Sequence, residues 1–267
     1  MKENEINIED RISLARRTMY TLMNTGLHGS NGINPSAAIK MYEAYIIPKL
    51  LYGVEILPLN ATQTALLSKF HIANLWRLQS LPTRTAIGIV YLLVGAMPIE
   101  AEIHRRQLSF LHNILSCNNA TIQTLVERQL VMNIDNIQSF FCQISKILDL
   151  YNLPCIQELI ANPTTKLSWK IKCKKPVQNF WTYKLKELMV GKSSLRFVYN
   201  KDLKAGSIHK LWTSLYSTVS DVKKGIVKCR MLTGTYILQK DKHKFSNGKV
   251  QVDCILCCIG DEDLYTC

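Results

Sequence analysis

Residues 85–99 read TAIGIVYLLVGAMPI, fifteen positions without a charge, in which Ala86, Ile87, Ile89, Val90, Tyr91, Leu92 and Leu93 leave no polar face. A helix over 85–94 that is apolar all round persists in water only when other elements cover it on most sides. Gly95 and Pro98 break the run well short of the roughly 20 residues needed to cross a bilayer. A chain of 267 residues is long enough to supply the cover, as one sizeable core or two smaller ones. The expectation is a soluble helical array packed around this segment, with no membrane partner.

The flanking sequence has the same periodicity. Ile12, Ala15, Met19, Leu22, Met23 and Gly26 recur at helical spacing, with Arg11, Arg16 and Arg17 facing elsewhere. The glycines at 26, 29 and 32 end that helix, and Asn34-Pro35 supplies a cap and a first-turn proline for the next. That second helix runs towards Leu57 with a kink or break at Pro48. Leu66, Phe70, Ala73 and Trp76 form a further stripe. Pro98 opens a helix with Glu100 and Glu102 in its first turn, where Glu102 and Arg106 read as a structural i,i+4 pair. Asn162-Pro163 starts another that Pro176 interrupts, after which Val177, Trp181, Leu185 and Leu188 make a new stripe. Ser220-Asp221 caps a helix with Val222, Ile226 and Cys229 on one face. Strand signals are confined to 235–238 and 249–252. The fold class is mainly α, an irregular multi-helix array with a short, mostly unstructured or small-β Cys-rich tail.

Charge divides the chain more sharply than hydropathy does. The net charge is +13. Residues 1–165 carry 13 basic and 12 acidic side chains, residues 166–249 carry 20 and 4, and the last 18 residues carry four acids and no base. We place boundaries accordingly: 1–160 a helical domain, 161–250 a basic helical connector, 251–267 a Cys-x-x-Cys tail. An excess of +16 over 84 residues repels itself unless something anionic is close. Nucleic acid is the first candidate, with an acidic protein or a membrane surface behind it. The candidate phosphate contacts are Lys170, Lys172, Lys174, Lys175, Lys184, Lys186, Arg196, Lys201, Lys223, Lys224, Lys228 and Arg230. Trp169, Phe180, Trp181, Tyr183, Phe197 and Tyr199 are interleaved with them, as base-stacking platforms or as core.

The nine cysteines are an odd number, nothing signals export, and the N-terminus MKENEINIEDR lacks an apolar stretch, so reduced thiols in the nucleus or cytoplasm are expected. The Asn-Ala-Thr triplets at Asn60 and Asn119 are then chance sequons. Cys254 and Cys257 form a Cys-x-x-Cys pair, half of a tetrahedral zinc site, with Cys258, Cys267 and His243 as further donors and an unliganded thiol pair as the alternative. His28, His71, His104, His112 and His209 are isolated and read as surface or satisfied core. No phosphate loop, serine-nucleophile elbow or zinc-protease helix occurs. Neither Glu9-Asp10 nor Asp261-Glu262-Asp263 resembles a pair set for two metals.

The segments RISLARRTMYTLMNTGLHGSNGINP (11–35), YIIPKLLYGVEILPL (45–59), SLPTRTAIGIVYLLVGAMPIEAEIHRRQLSFLHNIL (80–115), VKKGIVKCRMLTGTYILQKDKHKFS (222–246) and CILCCIGDEDL (254–264) resemble, in order, the C-terminal part of invertebrate non-LTR retrotransposon polyproteins, the part that follows the reverse transcriptase palm. The YLLVGAMPIEAEIHRRQLSFL and RMLTGTYILQ blocks are the most specific. The resemblance implies a thumb-like helical region that grips primer-template duplex, a basic connector, and a zinc knuckle matched here by Cys254, Cys257, Glu262 and Asp263. At the knuckle's His this chain has Thr266, and its last residue is Cys267, so no cofactor is expected. The aromatic-x-Asp-Asp palm motif is absent. The implied role is a nucleic-acid-binding fragment of a reverse transcriptase that contacts RNA or RNA/DNA duplex, and the missing palm, without polymerising. The alternative is a helical module that docks an acidic protein partner.

Overall fold

The computed structural model describes residues 2–28, 32–133, 136, 139–198, 200–216, 218–253 and 261–262. The chain is mainly α, an irregular multi-helix array. Its helices are α1 (Lys2–Asn24), α2 (Pro35–Tyr45), α3 (Ile47–Leu50), α4 (Ala61–Leu78), α5 (Ile87–Val94), α6 (Ile99–Leu115), α7 (Ala120–Met132), α8 (Phe140–Leu150), α9 (Ile156–Ala161), α10 (Lys166–Glu187), α11 (Lys210–Thr213), α12 (Val219–Leu232) and α13 (Gln239–Phe245).

α5 is the apolar segment, and seven of its eight residues are buried, with α2, α4, α10 and α11 packed against it. Two glycines make this cover possible. A Cβ on Gly88 would lie 2.5 Å from the Leu185 carbonyl oxygen and 2.8 Å from Met189 Cγ, so α5 and α10 cross with backbone against backbone. Gly95 ends α5 at φ +68°, and a Cβ there would meet the Ser207 backbone at 2.4 Å. The carbonyls freed at that end are taken up from far along the chain: His209 N donates to Leu93 O and Gly206 N to Gly95 O, each at 2.9 Å.

α10 is one continuous helix with Pro176 inside it, where an interruption was expected. An interior proline costs about 3 kcal/mol. It is offset by a stripe of Trp169 and Cys173 before the proline and Val177, Trp181 and Leu185 after it, all buried on one side, each large side chain worth roughly 1.5–3 kcal/mol. Leu188, expected in the stripe, is 53% exposed because the helix has ended, and Met189 fills the position against Gly88. Trp169 Nε1 donates to Leu108 O of α6 at 2.9 Å, and Trp212 Nε1 to Gln79 Oε1 at 3.3 Å. The boundary near residue 160 therefore divides the surface charge and not the interior: one core cluster runs from Ile8 to Cys229.

Local signals are otherwise kept, with exceptions that have physical causes. Asn34 caps α2 through Ser36 N, and its amide also donates to Trp212 O at 3.2 Å. Asn60 and Asn119 cap α4 and α7 with their side chains. α4 buries Leu67, His71, Asn74, Leu75 and Leu78, while the expected stripe of Leu66, Phe70, Ala73 and Trp76 lies beside that face, because both faces of α4 carry apolar residues. Glu102 pairs one residue closer than expected, at i,i+3 with Arg105 at 2.8 Å in place of Arg106. Thr218, not Ser220, caps α12.

Neither expected strand forms. Thr235 N and Tyr236 N turn back to Arg230 O, leaving 235–238 no ladder partner. Among the described residues the β structure consists of two isolated antiparallel bridges, Lys204 with Ser207 and Asp253 with Asp261. Among the described residues no single helix is long and apolar enough to cross a membrane; α5 and α6 together meet the length and composition test only as a pair bent by 54°.

Candidate nucleic-acid interface

Lys170, Lys172, Lys174 and Lys175 of α10 are all exposed around its buried stripe: at about 100° per residue Lys170 and Lys174 follow Lys166 along one flank, Lys172 lies on the other and Lys175 on the back. With Lys166 they place five cations along about 15 Å of helix, interspersed with exposed Leu167 and Ile171. Because Trp169 and Cys173 are anchored against the body of the protein, this cationic row is held on a rigid element. Lys186 is half-buried near the C-terminal end. Lys184 is engaged within the fold: its Nζ stands 4.6 Å from the Trp181 ring centroid and 4.0 Å from a Glu100 carboxylate oxygen.

The remaining candidates separate. Lys201 is exposed on a single 3-10 turn, and the Arg196 guanidinium lies 4.8 Å over the Phe197 ring. On α12, Lys223, Lys224 and Lys228 are exposed. Arg230 is half-buried and engaged within the fold: its Nε and Nη2 donate to Ser80 O at 2.9 and 2.5 Å, so the guanidinium serves a turn whose Ser80 sits at φ +52°. Arg84 makes the reciprocal tie, donating to Thr235 O at 3.0 Å. Trp169 and Trp181 belong to the core, at 2% and 4% exposure. Along α10 the exposed aromatic is Tyr183, at 66%.

Two neutral histidines lie beneath these surfaces. His71 on α4 donates from Nε2 to Met97 O and accepts at Nδ1 from the Tyr42 hydroxyl, each at 3.0 Å. Burial holds its pKa down to about 4 against the partial support of the Met97 carbonyl. Trp181 Nε1 donates to the Tyr151 hydroxyl, which donates to His104 Nδ1, both at 2.8 Å. Burial, and then the Lys184 charge, lower His104 to about 4. His71 is a satisfied core histidine, whereas His104 is half-buried with Nδ1 engaged.

Sequence reasoning missed a cavity of about 430 Å³ between α2, α6 and α10. Lys40, Arg105 and Arg106 reach it from the near-neutral half of the chain, and Lys174 from the basic half. The adjacent Arg105 and Arg106 were the available signal, but Arg106 reads in sequence as the i,i+4 partner of Glu102. A second, larger groove of about 1220 Å³ lies between α4 and the α5–α6 pair, walled by Ile72, Trp76 and Ile87 with Lys69 and Arg77 among its lining residues.

Cys254 and Cys257 lie outside the described residues. The described ends of that segment are held side by side, with Glu262 N donating to Val252 O at 2.9 Å. His243 uses Nδ1 on Val250 O at 2.6 Å. Among the described residues no group of three or more His, Cys, Asp or Glu side chains is placed to hold a metal ion.

No protein-family model, no curated protein and no solved structure matches this chain.

Proposed function

We propose that this chain is a nucleic-acid-binding piece of a retroelement reverse transcriptase, a thumb-like helical body whose basic segment grips RNA or RNA/DNA duplex through backbone phosphates. The observation that carries the reading is the row of exposed lysines on α10, fixed to the core by Trp169 and Cys173 within a segment of net +16. Cations on a rigid element track phosphates without reading bases, and their binding energy comes largely from counterion release. Polymerisation is assigned to a palm that this chain does not supply, and that palm is a natural docking partner. We assign no resident cofactor.

The test is the salt dependence of binding to duplexes of unrelated sequence. The K172A/K174A/K175A variant is expected to bind all of them more weakly and to flatten the slope of log K against log salt by up to about 2–3 units, at roughly 0.7–0.9 per lost phosphate contact. An unchanged slope rejects these lysines as contacts.

The groove on α4 favours a second reading, a module that docks the apolar face of an acidic helix from a protein partner. Ile72, Trp76 and Ile87 would take the apolar side chains, and Lys69 and Arg77 the acidic flank. Alanine at Trp76 abolishing capture of a protein while leaving the salt slope for nucleic acid intact would select this reading.

A further inference from the structure

The cavity shared by α2, α6 and α10 has an unusual division of polarity. Its inner wall is buried and mostly apolar, formed by Ile39, Ile47, Val94 and Met97 with His71 among them, and both ring nitrogens of His71 are already engaged. Its outer residues are charged. Lys40, Arg105, Arg106 and Lys174 supply four cations against Glu43 and Glu102. Glu102 is matched by Arg105 at 2.8 Å. Lys40, Arg106 and Lys174 make no hydrogen bond or ion pair with another described residue. Three cations from three different helices therefore line one cavity with only the Glu43 carboxylate left to offset them, a positive excess that a bound anion would relieve.

A cavity of about 430 Å³ falls in the range that holds small ligands, and a single nucleotide is of that scale. An apolar floor suits the faces of a base, and a cationic mouth suits a phosphate, especially one presented to a guanidinium. The mouth is also continuous with the row on α10, since Lys174 belongs to both. A strand whose end enters the cavity can continue past Lys174 along Lys170 and Lys166. An internal nucleotide would have to thread the chain in and out of the same opening. We propose that this cavity captures the terminal nucleotide of a nucleic-acid strand bearing a 5′-phosphate, with the phosphate among Lys40, Arg106 and Lys174 and the base against the apolar floor. The proposal rests on the nucleic-acid reading above and adds an end preference that phosphate tracking alone does not produce.

The test compares short single strands of one sequence, with a 5′-phosphate or a 5′-hydroxyl and a fluorophore on the other end, by anisotropy with the full chain at fixed ionic strength. The 5′-phosphorylated strand is expected to bind about tenfold tighter. Lys40→Gln, at an exposed position, and Arg106→Gln are each expected to bring the ratio close to one while changing affinity for the hydroxyl strand less than about threefold, consistent with loss of one cation. Equal wild-type binding to the two strands overturns the end preference and leaves the phosphate-tracking reading standing. A ratio that survives in both variants places phosphate recognition elsewhere and also overturns it. No binding of either strand at low salt rejects both readings together. Adenosine monophosphate added as competitor separates the sources: displacement only at concentrations far above those of a phosphorylated strand supports capture of a strand end, and equal or better displacement makes a free nucleotide the ligand and overturns the assignment.

Discussion

Acidification should destabilise this protein through His71. In the folded state the imidazole is buried, neutral and hydrogen-bonded at both nitrogens, with its pKa held down to about 4. In the unfolded chain it returns to about 6.5. Between those values the unfolded state binds the extra proton, so the stability His71 confers is complete above pH 6.5, declines as pH falls, and is fully lost below about pH 4. The full difference is about 2.5 units, or roughly 3.4 kcal/mol; at pH 5 the linkage relation gives roughly 2 kcal/mol. His104 shifts in the same direction but is only half-buried at a groove wall, so solvent screening reduces its share. Urea unfolding followed by tryptophan fluorescence at pH 7.5 and 5.0 measures the loss. His71→Gln keeps a donor for Met97 O and an acceptor for the Tyr42 hydroxyl without a titrating group. It should be less stable at pH 7.5 but lose about 2 kcal/mol less than wild type on going to pH 5. An identical pH dependence in the variant would refute the assignment.

Other outcomes follow from single contacts. Gly88→Ala forces a methyl group into 2.5 Å of the Leu185 carbonyl and should destabilise the chain by about 1–3 kcal/mol in the same assay. Arg230→Ala leaves Ser80 O without its two donors and should cost about 1–3 kcal/mol with nucleic-acid affinity nearly unchanged, whereas K223A/K224A/K228A should weaken binding and leave stability alone. Burial pushes the Cys173 thiol up to about 12 and raises Cys229 further still. Alkylation mapped by mass spectrometry should therefore find Cys155, which is exposed, modified in the native protein and these two modified only after unfolding.

The path from pattern to structure was clearest where one signal was enough. The all-round apolar segment had to be central, and it is. Asn34-Pro35 had to start a helix, and it does. Where two signals competed, at Pro176, the stripe won, because the cost of a proline is local while the stripe from Trp169 to Leu185 acts over more than four turns. On α4 the apolar residues occupy more than one face, so periodicity alone could not say which one was buried. Arg230 shows the limit of reading charge as surface: its spacing on α12 puts it near the lysines, and only the approach of Ser80 from 150 positions away turns it inward. The same holds for Lys40, Arg105 and Arg106, whose convergence with Lys174 depends on how α2, α6 and α10 cross.

The late cover of α5 has a consequence for synthesis. The helix is complete once Val94 has been made, yet the elements that shield it include α10, the 206–209 segment that bonds its C-terminal carbonyls, and α11 with Trp212. Roughly 120 more residues must be added before the last of these exists, which at 5–20 residues per second is roughly 6–24 s. During that interval the nascent chain exposes the segment that most readily self-associates, so a ribosome-bound chaperone that holds apolar helices should raise the soluble yield. A chain stopped at residue 160 should remain dependent on it indefinitely.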